Sequence, residues 1–191
     1  MDLCNPRRYS DSDLITSSVS ILPDHQIQIL CNAGMISPYD PELVNPASLD
    51  VRLGNELMVE QEEHEQMRKL SIEKFDRDSP FYLYPGEFVL AHTMETFKVP
   101  SNVTGQFALK SSTARSGFEH LMAGYIDPGF WNSVLTLELK NARQMAPIPM
   151  WPGMRIGQIV WTRMQAPPTK TYRETGRYNN DPTVTTTKGW L

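Results

Sequence analysis

An antiparallel, mainly β fold is what this sequence predicts, and three observations predict it. From Phe81 onward the apolar residues fall in short runs, FYLY, FVLAHTMETFKV, VTGQFAL, SVLTLEL and MRIGQIVWTRM, separated by PG, PS and WPG turns. Runs of strand length with that punctuation indicate a barrel or sandwich rather than alternating βα units. Fifteen prolines and eleven glycines in 191 residues supply many turns and leave little room for long helices. Where a run can be read for phase it alternates with period two, as in LTLEL. At this length, with 40% hydrophobic residues, one domain with one core is expected.

Read from the start, Met1 to Ser20 carries Arg7 and Arg8 but no apolar stretch of the kind a secretion signal needs. No run is long enough to span a membrane. Cys4 and Cys31 have no metal-binding spacing, and two thiols in such a chain are expected to be reduced, so a cytoplasmic enzyme is the expectation. Residues 24–36 place Ile27, Leu30 and Cys31 at helical spacing, with Asp24 as the expected N-cap and Gly34 as the stop. Leu49, Val51 and Leu53 then alternate, and Leu57 and Val59 resume the pattern, as half-buried strands would. Residues 60–80 are the most charged stretch and read as a surface excursion that could be partly helical. The tail from Gln165, with Pro167, Pro168, Pro182 and a threonine run, reads as an extended arm that orders only by docking. The expected division is therefore a β domain with its N-terminal helix over 1–164 and an arm over 165–191.

Several chemistries are excluded by what is missing. A formal net charge of -4 with no Lys/Arg block disfavours nucleic acid as a partner. A zinc nucleobase deaminase needs an HxE motif followed by PCxxC, and neither is present. His25, His64, His92 and His120 are scattered without metal-ligand spacing. The phosphate loop GxxxxGK[ST], the dinucleotide turn GxGxxG and the nucleophile elbow GxSxG are absent as well.

What is present is concentrated in two windows. In the first, Gly105 to Gly117, a strand runs into Lys110, Ser111, Ser112 and Arg115. Cations, hydroxyls and backbone N–H groups within one turn are what a polyphosphate requires, although Ser and Gly are also ordinary turn residues. The second runs from Ala123 through Asp127 to Asn141. There Leu135, Leu137 and Leu139 share one strand face, and Thr136, Glu138 and Lys140 share the other. Glu138 alone would be read as a solvated strand residue.

Together the windows resemble the dCTP deaminase family, a branch of the trimeric dUTPase superfamily. The resembling residues are KSSTAR at 110–115, AGYIDPGF at 123–130, LTLELKN at 135–141 and PGMRIGQI at 152–159, with NPASLDVRLG at 45–54 similar to the family's N-terminal strand. The resemblance implies a distorted β-barrel or jelly roll of the dUTPase-like (β-clip) type, assembled as a homotrimer with active sites between subunits. It implies that Lys110, Ser111, Ser112 and Arg115 bind phosphates and order the water, and that Glu138 is the general base. The Ala123 backbone would touch the cytosine, Asp127 would face the sugar, and Gln158 would reach phosphate from an adjacent subunit. Tyr172, Arg177 and Tyr178 resemble tail residues that close over the triphosphate. Mg²⁺ would arrive on the nucleotide phosphates, no protein-bound metal and no zinc is implied, and dTTP is expected as an inhibitor by analogy with relatives. The chain departs from the family pattern in three places. It is one residue shorter between Arg115 and Asp127 and one longer between Gly129 and Glu138, and after Tyr178 it reads Asn179, Asn180, Asp181 where many relatives have a glutamine.

The expected reaction is hydrolysis of dCTP to dUTP and ammonia, within pyrimidine nucleotide metabolism and dUTP biosynthesis. One carboxylate in a water-poor pocket can shuttle the protons, with Ser111 and the Ala123 carbonyl holding the water and Arg115 fixing its neighbours. The alternatives are a bifunctional enzyme that releases dUMP, and a dUTPase in which Asp127 activates water for attack on the α-phosphate. The tail TVTTTKGW lacks the Gly-rich motif of trimeric dUTPases. A trimer that senses nucleotides without turnover is the non-enzymatic reading, and intact Ser111, Arg115 and Glu138 argue against it.

Overall fold

The computed structural model describes residues 19–61 and 64–189, so the readings that involve Cys4, Arg7 and Arg8 lie outside the described residues. The elements run β1 (Ser20–Ile21), α1 (Asp24–Asn32), β2 (Ile36–Ser37), β3 (Val44–Asn45), β4 (Ser48–Arg52), β5 (Glu56–Gln61), β6 (His64–Ser71) and β7 (Phe81–Leu83). There follow β8 (Phe88–Lys98), β9 (Val103–Leu109), α2 (Ser111–Arg115), β10 (Phe118–His120), β11 (Tyr125–Ile126), β12 (Trp131–Asn141), β13 (Ile148–Met150), β14 (Arg155–Arg163) and α3 (Tyr172–Thr175). One sheet has the order β11-β9-β14-β4-β3, with β1 also on β14. A second has the order β10-β12-β8-β5-β6, with β2 also on β8, and β13 pairs with β7. The ladders are antiparallel, as the turn punctuation predicts.

Between the two large sheets the apolar phase of each strand meets. Leu49, Val51, Leu137, Leu139, Ile159 and Trp161 are buried, and Phe97 stacks near Trp161 and Phe130 with ring centroids 6.2 and 6.3 Å away. Burying side chains of this size is worth about 1.5–3 kcal/mol each, which is what holds the sheets face to face. Strand β4 is unusual because Ser48 and Asp50, on its polar phase, are buried too. Next to it, Glu95 is almost fully buried on β8, and burial pushes its pKa up although Arg52 donates to both of its oxygens from N–H and Nε–H at 2.9 and 2.8 Å.

Two local expectations are corrected. Pro23, not Asp24, caps α1; Asp24 is already helical, and its N–H donates to the Pro46 carbonyl at 3.0 Å. Residues 60–80 hold no helix among the described residues. Their first half is β6, which pairs with β5 from Glu56↔Ser71 to Gln61↔His64, so backbone hydrogen bonds rather than an apolar face fix its conformation.

Strand β12 carries one unpaired residue. Trp131 pairs with Lys98 and Ser133 with Phe97, so Asn132, at φ +51°, bulges out of the ladder. The unpaired residue lies well before the strand reaches Glu138. Further along, β8 bulges at Thr93–Glu95, and the Thr93 hydroxyl accepts the Leu135 N–H at 3.0 Å in place of a backbone carbonyl.

Beyond β14 the chain returns along the outer face of the β12–β8–β5 sheet. Tyr172 N–H donates to the Pro128 carbonyl at 2.9 Å, and its ring packs on Phe130. The segment Tyr178–Asp181 then docks on the Asn132 bulge. Trp131 N–H donates to the Asn179 side chain at 2.9 Å, Asn180 N–H to the Trp131 carbonyl at 3.1 Å, and Val134 N–H to the Asp181 carbonyl at 3.0 Å. Val184 is buried, and the Thr183 hydroxyl donates to the Glu56 carboxylate.

Candidate active site

The tail and the outer sheet face enclose a cleft of about 1220 Å³. Met58, Leu90 and Phe88 form its apolar floor, Glu138 and Asp127 reach it from β12 and the end of β11, and Tyr172, Tyr178 and Asp181 face it from the tail. Pairing sets this arrangement: Glu138 lies opposite Leu90, which in turn lies opposite Met58, so the three share one row across three strands. Leu137 and Leu139 point the other way into the core, as the period-two reading of LTLEL predicts.

Glu138 is three-quarters buried, and its Oε2 is 3.4 Å from Nε2 of His120, at the end of β10. Neither atom has a hydrogen-bond partner among the described residues. Before Ala123 the chain turns tightly, with Met122 N–H donating to the His120 carbonyl at 2.7 Å and Met122 in the left-handed region at φ +63°. At the tail side, burial raises the pKa of Tyr172. The Tyr178 hydroxyl accepts the Lys188 N–H, which holds its pKa below the ordinary tyrosine value.

Lys110, Ser111, Ser112, Arg115 and Gln158 do not line this cleft; no Lys or Arg among the described residues does. They gather elsewhere. Lys110 precedes α2 and donates to both oxygens of Asp50 at 2.6 Å, Arg155 lies 3.6 Å from the same carboxylate, and Gln158 accepts from the Ser48 hydroxyl at 2.8 Å. Ser111, Ser112 and Arg115 are exposed on α2. Arg177 is also exposed and donates to the Gly189 carbonyl at 2.6 Å. Within one chain, then, Ala123, Asp127, Glu138, Tyr172 and Tyr178 come together, and the phosphate-type residues form a separate cationic patch. Sequence reasoning missed Asp50 and His120. A buried aspartate in the polar phase of a strand has no local signal, and a lone histidine has no spacing partner to mark it.

Two antiparallel sheets carry a tail-covered cleft lined by three carboxylates, Asp127, Glu138 and Asp181, and the Lys-Ser-Ser-Arg turn lies apart from it. A model of the dCTP deaminase-like family matches residues 21–164, and this chain belongs to that family. The dUMP-forming dCTP deaminase of Corynebacterium diphtheriae is 38% identical over 155 residues, 75% of this chain and 82% of the relative. That of Acidothermus cellulolyticus is 36% identical over 184 residues, 89% of this chain and 95% of the relative. The 2′-deoxycytidine 5′-triphosphate deaminase of Agrobacterium tumefaciens superposes with a TM-score of 0.62 at 22% identity, over 76% of this chain and 48% of that one. This chain thus spans about half the length of that structure, and the likeness shows that the two share a β fold. No helix among the described residues is long and apolar enough to cross a membrane.

Proposed function

We propose that this chain takes dCTP as its Mg²⁺ complex, replaces the C4 amine with oxygen, and cleaves the resulting dUTP to dUMP and pyrophosphate. The observation that carries this reading is that Glu138 and Asp127 line one cleft, one carboxylate for each hydrolysis. Relatives at 36–40% identity that are named dUMP-forming favour this alternative over release of dUTP as the end product.

In the first step Glu138 accepts a proton from water as its oxygen bonds to C4, and passes that proton to N3. The second proton of the water then travels through the same carboxylate to the amine, which leaves as ammonia while C4–O becomes a carbonyl. Ser111 and the Ala123 carbonyl would hold the water. In the second step Asp127 takes a proton from water attacking the α-phosphorus, and the bond to the α–β bridging oxygen breaks. Zinc has no part in this scheme.

The triphosphate needs cations that the cleft lacks in a single chain. Lys110, Ser111, Ser112, Arg115 and Gln158 of an adjacent subunit would supply them in a homotrimer, with Tyr172, Arg177 and Tyr178 of the 165–191 arm closing over the 1–164 domain. dTTP, with the same phosphates and no C4 amine to lose, would compete for the site.

The test is incubation with dCTP and Mg²⁺, with dUTP, dUMP, pyrophosphate and ammonia resolved by chromatography. Equal amounts of dUMP, pyrophosphate and ammonia are expected. Accumulating dUTP would confine the activity to deamination. Turnover of added dUTP without turnover of dCTP would make the protein a dUTPase, and binding of dCTP without any product would make it a sensor.

A further inference from the structure

His120 is buried at the end of β10, with 9% of the residue exposed. Its ring lies on Phe107, with centroids 4.7 Å apart. The other wall is the backbone at Gly124, where a Cβ would come within 2.7 Å of the Phe107 Cβ and 3.2 Å of the His120 ring. A side chain at 124 would clash with Phe107 and crowd the ring. Clamped in this way, the imidazole presents Nε2 to Glu138, 3.4 Å from Oε2, and both atoms are out of reach of solvent with no hydrogen-bond partner among the described residues. A buried polar atom left unpaired is destabilising, because it has lost its hydrogen bonds to water and gained none in return. Two such atoms facing each other at slightly more than bonding distance need only a small side-chain rotation to satisfy one another.

We propose that His120 is a positioning residue for Glu138: its Nε2–H donates to Oε2 and fixes the plane of the carboxylate, leaving Oε1 as the oxygen that takes and returns protons at the substrate. This rests on the reading of Glu138 as the deaminating base. His120 exchanges no proton with the substrate in this scheme. Its effect is geometric, and misplacing a reacting group by about 1 Å can cost on the order of 100-fold in rate.

Two substitutions separate this role from simple packing. His120→Phe keeps a ring against Phe107 and removes the donor. His120→Gln removes the ring and keeps an N–H donor near the position of Nε2. With dCTP as substrate, His120→Phe should lower kcat about 10- to 100-fold with the dCTP Kd within about twofold of wild type, and His120→Gln should recover most of that loss. A Phe variant with wild-type kcat, or a Gln variant as slow as the Phe variant, overturns the proposal. In a Glu138→Gln background the loss from His120→Phe should largely vanish, because the two act as one unit; a full multiplicative loss there also overturns it. An activity-independent reading comes from the His120 ring-nitrogen NMR shifts, which should move on Glu138→Gln, and unmoved shifts would again overturn the coupling. If the shifts move while the wild-type chain fails to deaminate dCTP, the pairing stands and the proposed reaction is what has failed.

Discussion

Asp50 has no solvent exposure, and both of its carboxylate oxygens lie 2.6 Å from the ammonium of Lys110, 60 residues further along the chain. Asn45 donates to the same carboxylate at 2.7 Å, so this one side chain ties the β3–β4 corner to the residue that opens α2. Asp50→Asn would turn an amide donor toward an ammonium. We expect a stability loss of about 1–3 kcal/mol, below the range for a fully buried pair because a quarter of the Lys110 side chain stays in solvent. The dCTP KM should rise as the Lys110–Ser112 turn loosens. Urea denaturation and steady-state kinetics measure the two effects, and unchanged values would mean that the pair positions nothing.

Replacing Glu138 and replacing Asp127 should each stop a different product. Glu138→Gln should suppress ammonia release by about 10²- to 10⁴-fold, the scale for losing a general acid–base group, while added dUTP still becomes dUMP. Asp127→Asn should leave ammonia release and let dUTP accumulate. Product analysis of the two variants side by side checks both, and a Glu138→Gln protein that deaminates at the wild-type rate would remove Glu138 as the base.

The legible part of this molecule was the part with strong periodicity. Leu135, Leu137 and Leu139 alternate with Thr136 and Glu138 because one face of β12 meets the core and the other meets the cleft, and that contrast is written into the residue types. Strand β6 has no comparable contrast. Gln66, Arg68 and Lys69 are exposed and Met67 and Leu70 only half-buried, so the ladder to β5 sets a conformation that composition does not announce. Asp50–Lys110 and His120–Glu138 were illegible for another reason. Each pair is made by segments distant in sequence that only folding brings together, and neither residue type at its own position signals the partner.

Ser133 is fully buried, its hydroxyl donates to the Tyr178 carbonyl at 2.8 Å, and it accepts the Asp181 N–H at 3.0 Å. Ser133→Ala would leave both tail groups unpaired, at about 1–3 kcal/mol for buried groups. We expect faster proteolytic cleavage near residues 176–189 and a higher dCTP KM, with the thermal midpoint of the β domain little changed. Equal cleavage rates in the two proteins would show that the tail is held by other contacts.

His92 sits against Gly54, where a Cβ would fall 2.1 Å from the ring, and burial lowers its pKa. The unfolded chain, with an ordinary histidine pKa near 6.5, then binds a proton that the folded chain resists. Stability from this group is therefore full above about pH 6.5 and is lost as pH falls from there toward the depressed folded value, with a slope of up to about 1.4 kcal/mol per pH unit. His92→Gln should flatten the dependence of the urea midpoint between about pH 5 and 6.5. Parallel curves for the two proteins would exclude His92 as its source.

Inserting one residue into a strand ordinarily inverts the parity of everything downstream, so that each core leucine turns to solvent and each polar group turns inward. In β12 the count is restored at Asn132 before Val134 begins, and the second irregularity in the ladder, two extra residues on β8, is even and leaves parity alone. Chain length between Gly129 and Ser133 is in this way uncoupled from the orientation of Glu138. Insertions at this point can remodel where the tail attaches without passing through an intermediate sequence whose carboxylate faces the core, which leaves a path for evolution, or for a designer, to vary the cover while the base stays where it is.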